Sequence, residues 1–187
     1  MAQREPRAER RRVSTERRMK TPSCRSRWGI ITGSDRPFHR LRSVANSDSF
    51  RFDIVDHVML IVHADVPPSD SDWARLVLVR NANRERIRSN LVVAPPRASI
   101  NASQRADVAQ FMKVTGTSIA VVTDSALIRG VARAVGFLGV QVRAFTANEL
   151  TSALNFLIVP PSRHPQFARR IEQMKAQLAG DQRRAAP

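Results

Sequence analysis

Leu91-Val92-Val93-Ala94, Pro95-Pro96-Arg97-Ala98-Ser99-Ile100-Asn101-Ala102-Ser103-Gln104 and Arg105-Ala106-Asp107-Val108-Ala109-Gln110-Phe111-Met112 form the stretch whose reading decides the fold. Leu91 to Val93 is a short unbroken apolar run, the pattern of a strand covered on both faces. Pro95 and Pro96 end it, because proline has no N–H to give to a ladder. Val108, Phe111 and Met112 then fall on one side of a helix. Asn101 or Ser103 can cap that helix by accepting from its free N–H groups. The polar loop thus joins the carboxyl end of a strand to the amino end of a helix. In open α/β sheets, ligands and modifications gather there.

The same grammar extends in both directions. Phe50, Phe52 and Ile54 alternate with polar residues, as in a half-buried edge strand, and Val58 to Val62 is apolar throughout. The two segments are separated by Asp56-His57, which predicts an antiparallel pair, although the usual turn glycine is missing. Ser69 is the expected cap of a first helix, with Asp70 and Asp72 favouring its positive end and Trp73, Leu76 and Val77 on its inner side. Arg84 to Asn90 reads as a polar lead into the Leu91 strand. After the second helix Gly116 is a natural terminator. Ser118 to Thr123 is another buried strand. Asp124 or Ser125 caps a third helix with Leu127, Ile128, Val131 and Val135 inside. Val140 to Phe145 alternates as the far edge strand. Thr146 and Glu149 form a capping box for a fourth helix that buries Leu150, Ala153, Leu154 and Leu157.

The resulting order is β-β-α-β-α-β-α-β-α. Strands separated by helices pair in parallel through right-handed crossovers. The expected fold is therefore α/β, a mostly parallel sheet of about five strands with one antiparallel strand. Three regions are expected: a basic, disordered extension at 1–45, the α/β domain at 46–160, and a basic amphipathic helix and tail at 161–187. In the last, Phe167, Ile171, Met174 and Leu178 recur at helical spacing. Such a face can pack on the domain, join a second copy or touch an anionic surface, and packing is the commonest outcome.

The chain has 187 residues and a net charge of +15. Residues 1–43 carry 13 Lys/Arg against 4 Asp/Glu, a net of +9. A concentrated basic arm suits a polyanion such as nucleic acid. Arginine outnumbers lysine 28 to 3 across the whole chain, however, which points to a compositional bias rather than a dedicated patch. Cys24 is the single cysteine, so no internal disulfide forms, and a reducing, cytoplasmic setting is expected. No signal peptide or transmembrane segment is expected, because the apolar runs are too short.

Motifs for enzymatic chemistry are missing. No Gly-x-Gly-x-x-Gly follows the first central strand, where His63-Ala64-Asp65-Val66-Pro67-Pro68 stands instead, and there is no Walker motif. A receiver domain needs an acidic phosphoacceptor where Ala94-Pro95 is found. His39, His57, His63 and His164 lack metal-site spacing. His63 ends a buried strand and is a candidate for a polar pocket with Thr123 and Asp124, though such a histidine is more often structural. No nucleophile has a base beside it, so a non-enzymatic protein without a cofactor is expected.

Pro67-Pro68-Ser69-Asp70-x-Asp72-Trp73, Asn101-Ala102-x-Gln104-Arg105, the trio Thr123, Arg129 and Gly130, and Arg143-Ala144-Phe145, taken with the element order, resemble the STAS domain over about residues 50–159. That is the fold of bacterial anti-sigma-factor antagonists, and the chain is also similar to STAS-like bacterial proteins grouped with the Sec14-type lipid-binding fold. The resemblance implies a regulatory module that docks a protein partner, such as a kinase-type anti-sigma factor. It also implies a phosphorylated serine at the start of the second helix, where a dianion reshapes the docking surface. Here the loop departs from the Asp-Ser-x-Gly pattern: Asn101 replaces the acid, the glycine is missing, and one alignment puts Ala102 at the acceptor. Ser103 and Ser99 are the candidate phosphoacceptors, although capping the helix is the commoner role for a serine placed as Ser103 is. Candidate partner-binding residues are Ser69, Asp70, Asp72, Arg97, Asn101, Gln104 and Arg105. A small-ligand or lipid-binding domain of related fold is the second expectation, and it requires a sizeable apolar cavity between sheet and helices. A nucleic-acid-associated protein using residues 1–45 is the third.

Overall fold

The computed structural model describes Ser47 and residues 49–137 and 139–185. The basic arm at 1–45, with Cys24, His39 and any contact to nucleic acid, lies outside the described residues. Strands β1 (Phe50–Val55) and β2 (Val58–His63) form an antiparallel pair. Helix α1 (Asp70–Ala82), strand β3 (Ser89–Val93), helix α2 (Ala102–Thr115), strand β4 (Ser118–Val122), helix α3 (Ala126–Gly136) and strand β5 (Val142–Phe145) follow. A 3₁₀ turn (Ala147–Glu149) leads into α4 (Leu150–Phe156), and a second (Pro161–Arg163) into α5 (His164–Ala185). The sheet order is β1-β2-β3-β4-β5, with β2 to β5 parallel. The expected class, a mostly parallel five-stranded sheet with one antiparallel strand, is what is found.

Local chemistry explains each boundary. Asp56 closes the β1–β2 connection at φ +55, a left-handed conformation that a short polar side chain tolerates. Arg163 forks onto its carboxylate at 2.6 and 2.7 Å. Ser69 caps α1 by accepting from the Asp72 N–H at 3.2 Å. Asn101, and not Ser103, caps α2, and Gly116 ends it at φ +65. Ser125 caps α3. Thr146 and Glu149 make their capping box on the 3₁₀ turn that precedes α4. The strand at 91 starts earlier than its apolar run: Ser89 and Asn90, read as lead-in, pair with Val58 and Met59 on one side and with Ser118 and Ile119 on the other.

The two faces of the sheet are filled differently. On one face Val58, Leu60, Val62, Leu91, Ala120, Val122 and Phe145 pack against Ala153, Leu154 and Leu157 and against Phe167, Ile171, Met174 and Leu178 of α5. A division of the chain at residue 160 would thus cut through one continuous core. Arg51 on this face is buried and ion-paired with Asp181 near the end of α5. Arg170 pairs with Asp53 at 2.8 Å. The other face holds two smaller clusters. Phe50, Phe52, Met59 and Ile61 pack with Leu76 and Ile87, while Ile119 packs with Met112 and Val140. Val92 touches both.

Because α5 closes the first face, Phe167→Ala should cost about 3–5 kcal/mol, the range for emptying a buried aromatic site. Urea unfolding of the variant would check it. A loss below about 1 kcal/mol would mean that α5 is peripheral.

Candidate functional site

Successive strand residues point to opposite faces, so the register assigns the residues beneath α1–α3. One row across the sheet is Ile54, Met59, Asn90, Ile119 and Val142, and the next is Phe52, Ile61, Val92, Val121 and Ala144. Phe50 and His63 pair one step further on. Over these rows the helices stand off the sheet and leave a cavity of about 550 Å³. Ile61, Val92, Ile119, Val121 and Val142 form its floor. Trp73, Leu76 and Arg80 of α1 close one side, and Arg105, Val108 and Phe111 of α2 lie above. The far wall is the apolar stripe of α3, Leu127, Ile128, Val131 and Val135. That stripe matches the inner face expected from the sequence, yet Leu127 remains 73% exposed and the other three are half-buried. It faces a cavity instead of protein.

Few polar groups interrupt this lining. Asn90 is 4% exposed, and its Nδ2 has no hydrogen-bond partner among the described residues. His63 is also buried, with Phe50 at 5.5 Å between ring centroids and no partner for Nδ1. Burial pushes its pKa down from 6.5 to about 4, so the ring is neutral at pH 7. Arg80 lies with its guanidinium carbon 4.2 Å from the centroid of the Phe111 ring. Its Nη1 and Nη2 each meet the Asp107 carboxylate at 3.0 Å, and its Nε is unpartnered. Arg105 donates to the Ile100 carbonyl at 2.6 Å and makes no ion pair among the described residues. Arg80 and Arg105 are the charged side chains of the lining, and no carboxylate belongs to it.

The residues singled out in the sequence divide into two groups. Ser99 and Arg105 line the cavity. The others surround its end of the sheet without entering. Ser69 is spent on capping α1, with Asp70 exposed beside it. Asp72 turns inward and accepts from Ser49 at 2.6 Å. Burial pushes its carboxyl up, but hydroxyls of Ser49, Ser47 and Ser69 and the charge of Arg75 outweigh that and hold it below the ordinary carboxylate value. Its inward engagement removes it from any docking surface. Asn101 and Gln104 satisfy each other's backbone N–H groups at 2.9 and 3.1 Å, and Gln104 is buried. Arg97 is exposed, with its backbone N–H anchored on Asp65 at 2.8 Å. Ser103 is exposed on the first turn of α2 with no capping duty.

Thr123 and Asp124 do not join His63. Thr123 Oγ1 accepts from the Ser125 N–H, Asp124 accepts from the Ala147 N–H, and neither lines the cavity. Asn90 and Arg80 are the site residues that sequence reasoning missed. A faint signal existed for both: Asn90 sits two residues before Val92, on the same strand face, and Arg80 follows Trp73 and Leu76 at helical spacing. Among the described residues no three or more of His, Cys, Asp and Glu cluster to hold a metal ion, and no helix is long and apolar enough to cross a membrane. No protein-family model, curated protein or solved structure matches the chain.

His63 gives the site a pH signature. Its folded pKa of about 4 lies below the unfolded value of 6.5, so the unfolded chain binds the proton first as pH falls. The histidine costs nothing above about pH 6.5, and its penalty grows from there down to about pH 4, reaching about 3 kcal/mol. His63→Leu should therefore lose less stability than the parent between pH 7 and 4.5 in urea titrations. Equal losses in the two proteins would contradict a buried neutral ring.

Proposed function

We propose that the domain binds a small apolar ligand between its sheet and helices α1–α3. The observation that carries this reading is the cavity of about 550 Å³, floored by Ile61, Val92, Ile119 and Val121 and walled by α3. Ligand pockets span about 300–1,000 Å³ and combine an apolar lining with a few polar groups. Protein interiors otherwise pack to crystal density, with few voids larger than a water molecule. A ligand would cover the exposed side of Leu127 and neighbouring Ile128 and Val131, gaining roughly 25 cal/mol for each Å² of apolar surface removed from water. The likeness of the sequence to STAS-like proteins grouped with the Sec14-type lipid-binding fold agrees with this reading. Nothing in the lining pairs a nucleophile with a base, so the proposal is binding without turnover.

Val131 offers the test, since it lies on the cavity wall and is half-buried. Val131→Trp should fill the cavity and weaken binding of an environment-sensitive apolar dye at least tenfold, while stability changes by about 1 kcal/mol or less. Solvent extraction of the purified protein and mass spectrometry would look for a carried ligand. Dye binding that survives Val131→Trp, with nothing extracted, would remove the proposal.

One observation favours a second reading, a STAS-like module docking a protein partner such as an anti-sigma factor. Ser99 and Ser103 are exposed beside the start of α2, and Asn101 has taken the capping role that competed for Ser103. A phosphate there would sit by free helix N–H groups and change the surface charge. Phosphopeptide mapping of protein from its source cells should find Ser99 or Ser103 modified if this holds. Unmodified serines in every growth phase would leave the regulatory switch without support.

A further inference from the structure

Resting on the ligand-binding reading, we propose that the ligand is a single-chain amphiphile, its alkyl tail in the chamber and a carboxylate head on Arg105 at the mouth. Strands β2 to β5 are parallel, so the helices that link them all start at the carboxyl end of the sheet. Ala94, Ser99, Ile100, Arg105 and Leu127 line the chamber at that end. Asn90, Ile119, Val142 and Val135 line the opposite end. The α3 stripe between them, from Leu127 to Val135, runs for about 12 Å along the helix. The chamber therefore has a long apolar axis with serine and arginine at its entrance.

Arg105 decides the head. It is half-buried, and its Nη1 donates to the Ile100 carbonyl at 2.6 Å. Its Nε and Nη2 have no partner among the described residues, and neither is sealed from solvent, unlike the Nε of Arg80. These two nitrogens share one edge of the planar guanidinium, and their parallel N–H bonds match the two oxygens of a carboxylate. A half-buried cation beside an apolar chamber is unfavourable without a counter-charge. No carboxylate of the described chain supplies one: Asp107 is engaged by Arg80, and the lining contains no acid. Arg97 lies outside the lining, so a single uncommitted positive charge borders the chamber. One negative charge answers it. An alcohol would leave Arg105 uncompensated, and a phosphate monoester would bring additional negative charge with no partner.

The probes are decanoate, 1-decanol and decyl phosphate, which share one tail, compared on the full chain and on Arg105→Gln. Decanoate should bind the unsubstituted protein roughly tenfold more tightly than 1-decanol, as expected for hydrogen bonds to a charged group, and at least as tightly as decyl phosphate. Arg105→Gln keeps an amide donor for the Ile100 carbonyl. It should remove the advantage of decanoate and leave the affinity of 1-decanol unchanged. In the unsubstituted protein the Arg105 Nε–H resonance, identified by its loss in Arg105→Gln, should move downfield with decanoate and not with 1-decanol. Should the variant weaken both probes through a disturbed lip, that resonance alone decides. Equal affinities for decanoate and 1-decanol, an unmoved resonance, or tighter binding of decyl phosphate would each overturn the proposal and leave an apolar ligand site standing. So would a decanoate affinity that survives Arg105→Gln, since the net charge of +15 would then be the attraction. If neither decanoate nor 1-decanol binds the unsubstituted protein, the ligand-binding reading falls, and this proposal with it.

Discussion

A right-handed crossover sets its helix on a fixed side of the sheet, and the strand order decides whether successive helices share that side. Here β2 to β5 follow one another without a reversal, so α1, α2 and α3 all lie over the same face. The opposite face, with Leu60, Val62, Leu91 and Val122, would be left to water. Helices α4 and α5 exist to cover it. Phe167, Ile171, Met174 and Leu178 are buried as completely as the strand residues they meet. Arg170–Asp53 and Arg51–Asp181 tie α5 across β1. Pairs of this kind hold register more than they add stability.

With one face sealed, the other can remain loose. The residues that would close it are short or polar: Ala132 and Ala134 on α3, Asn90 and His63 on the floor. Arg80 and Asp107 join α1 to α2 through a charged fork over Phe111, a bridge that fixes two helices without filling the space under them. A packed core in this position would be more stable, since unpartnered amide and imidazole nitrogens oppose folding. Local departures from the rules of packing are expected where a protein binds something. Among the described residues, three of the buried side-chain atoms without a partner, on Asn90, His63 and Arg80, belong to the residues of this chamber, whereas the opposite face carries one, Ser89 Oγ, which is why the chamber is the candidate site.

The exposed lip at Ser99 to Ser103 adjoins this chamber and does not compete with it. Ser99 belongs to both, as a surface serine and as part of the cavity rim. Arg105 touches both, lining the chamber and donating to the Ile100 carbonyl in the lip.

Much of this was legible from the residue order alone. Periodicity and stop signals determined the succession of strands and helices, the antiparallel first pair, the caps at Ser69 and Thr146 and the terminator Gly116, because each depends on neighbours within a turn or two. The inner stripe of α3 and the burying face of α5 were also visible as patterns. What those faces meet was not. Whether Leu127 touches a strand or a void depends on how far α3 stands from β4 and β5, which side chains of several elements decide together. The depth of Asn90 is likewise set by Met59 and Ile119, 31 and 29 residues away in the chain. Sequence by itself therefore determined the fold and its orientation of polar and apolar faces; only the tertiary structure decided that α5 shares the core and that a cavity opens beneath α1–α3, since distances between elements are a property of the whole packed chain.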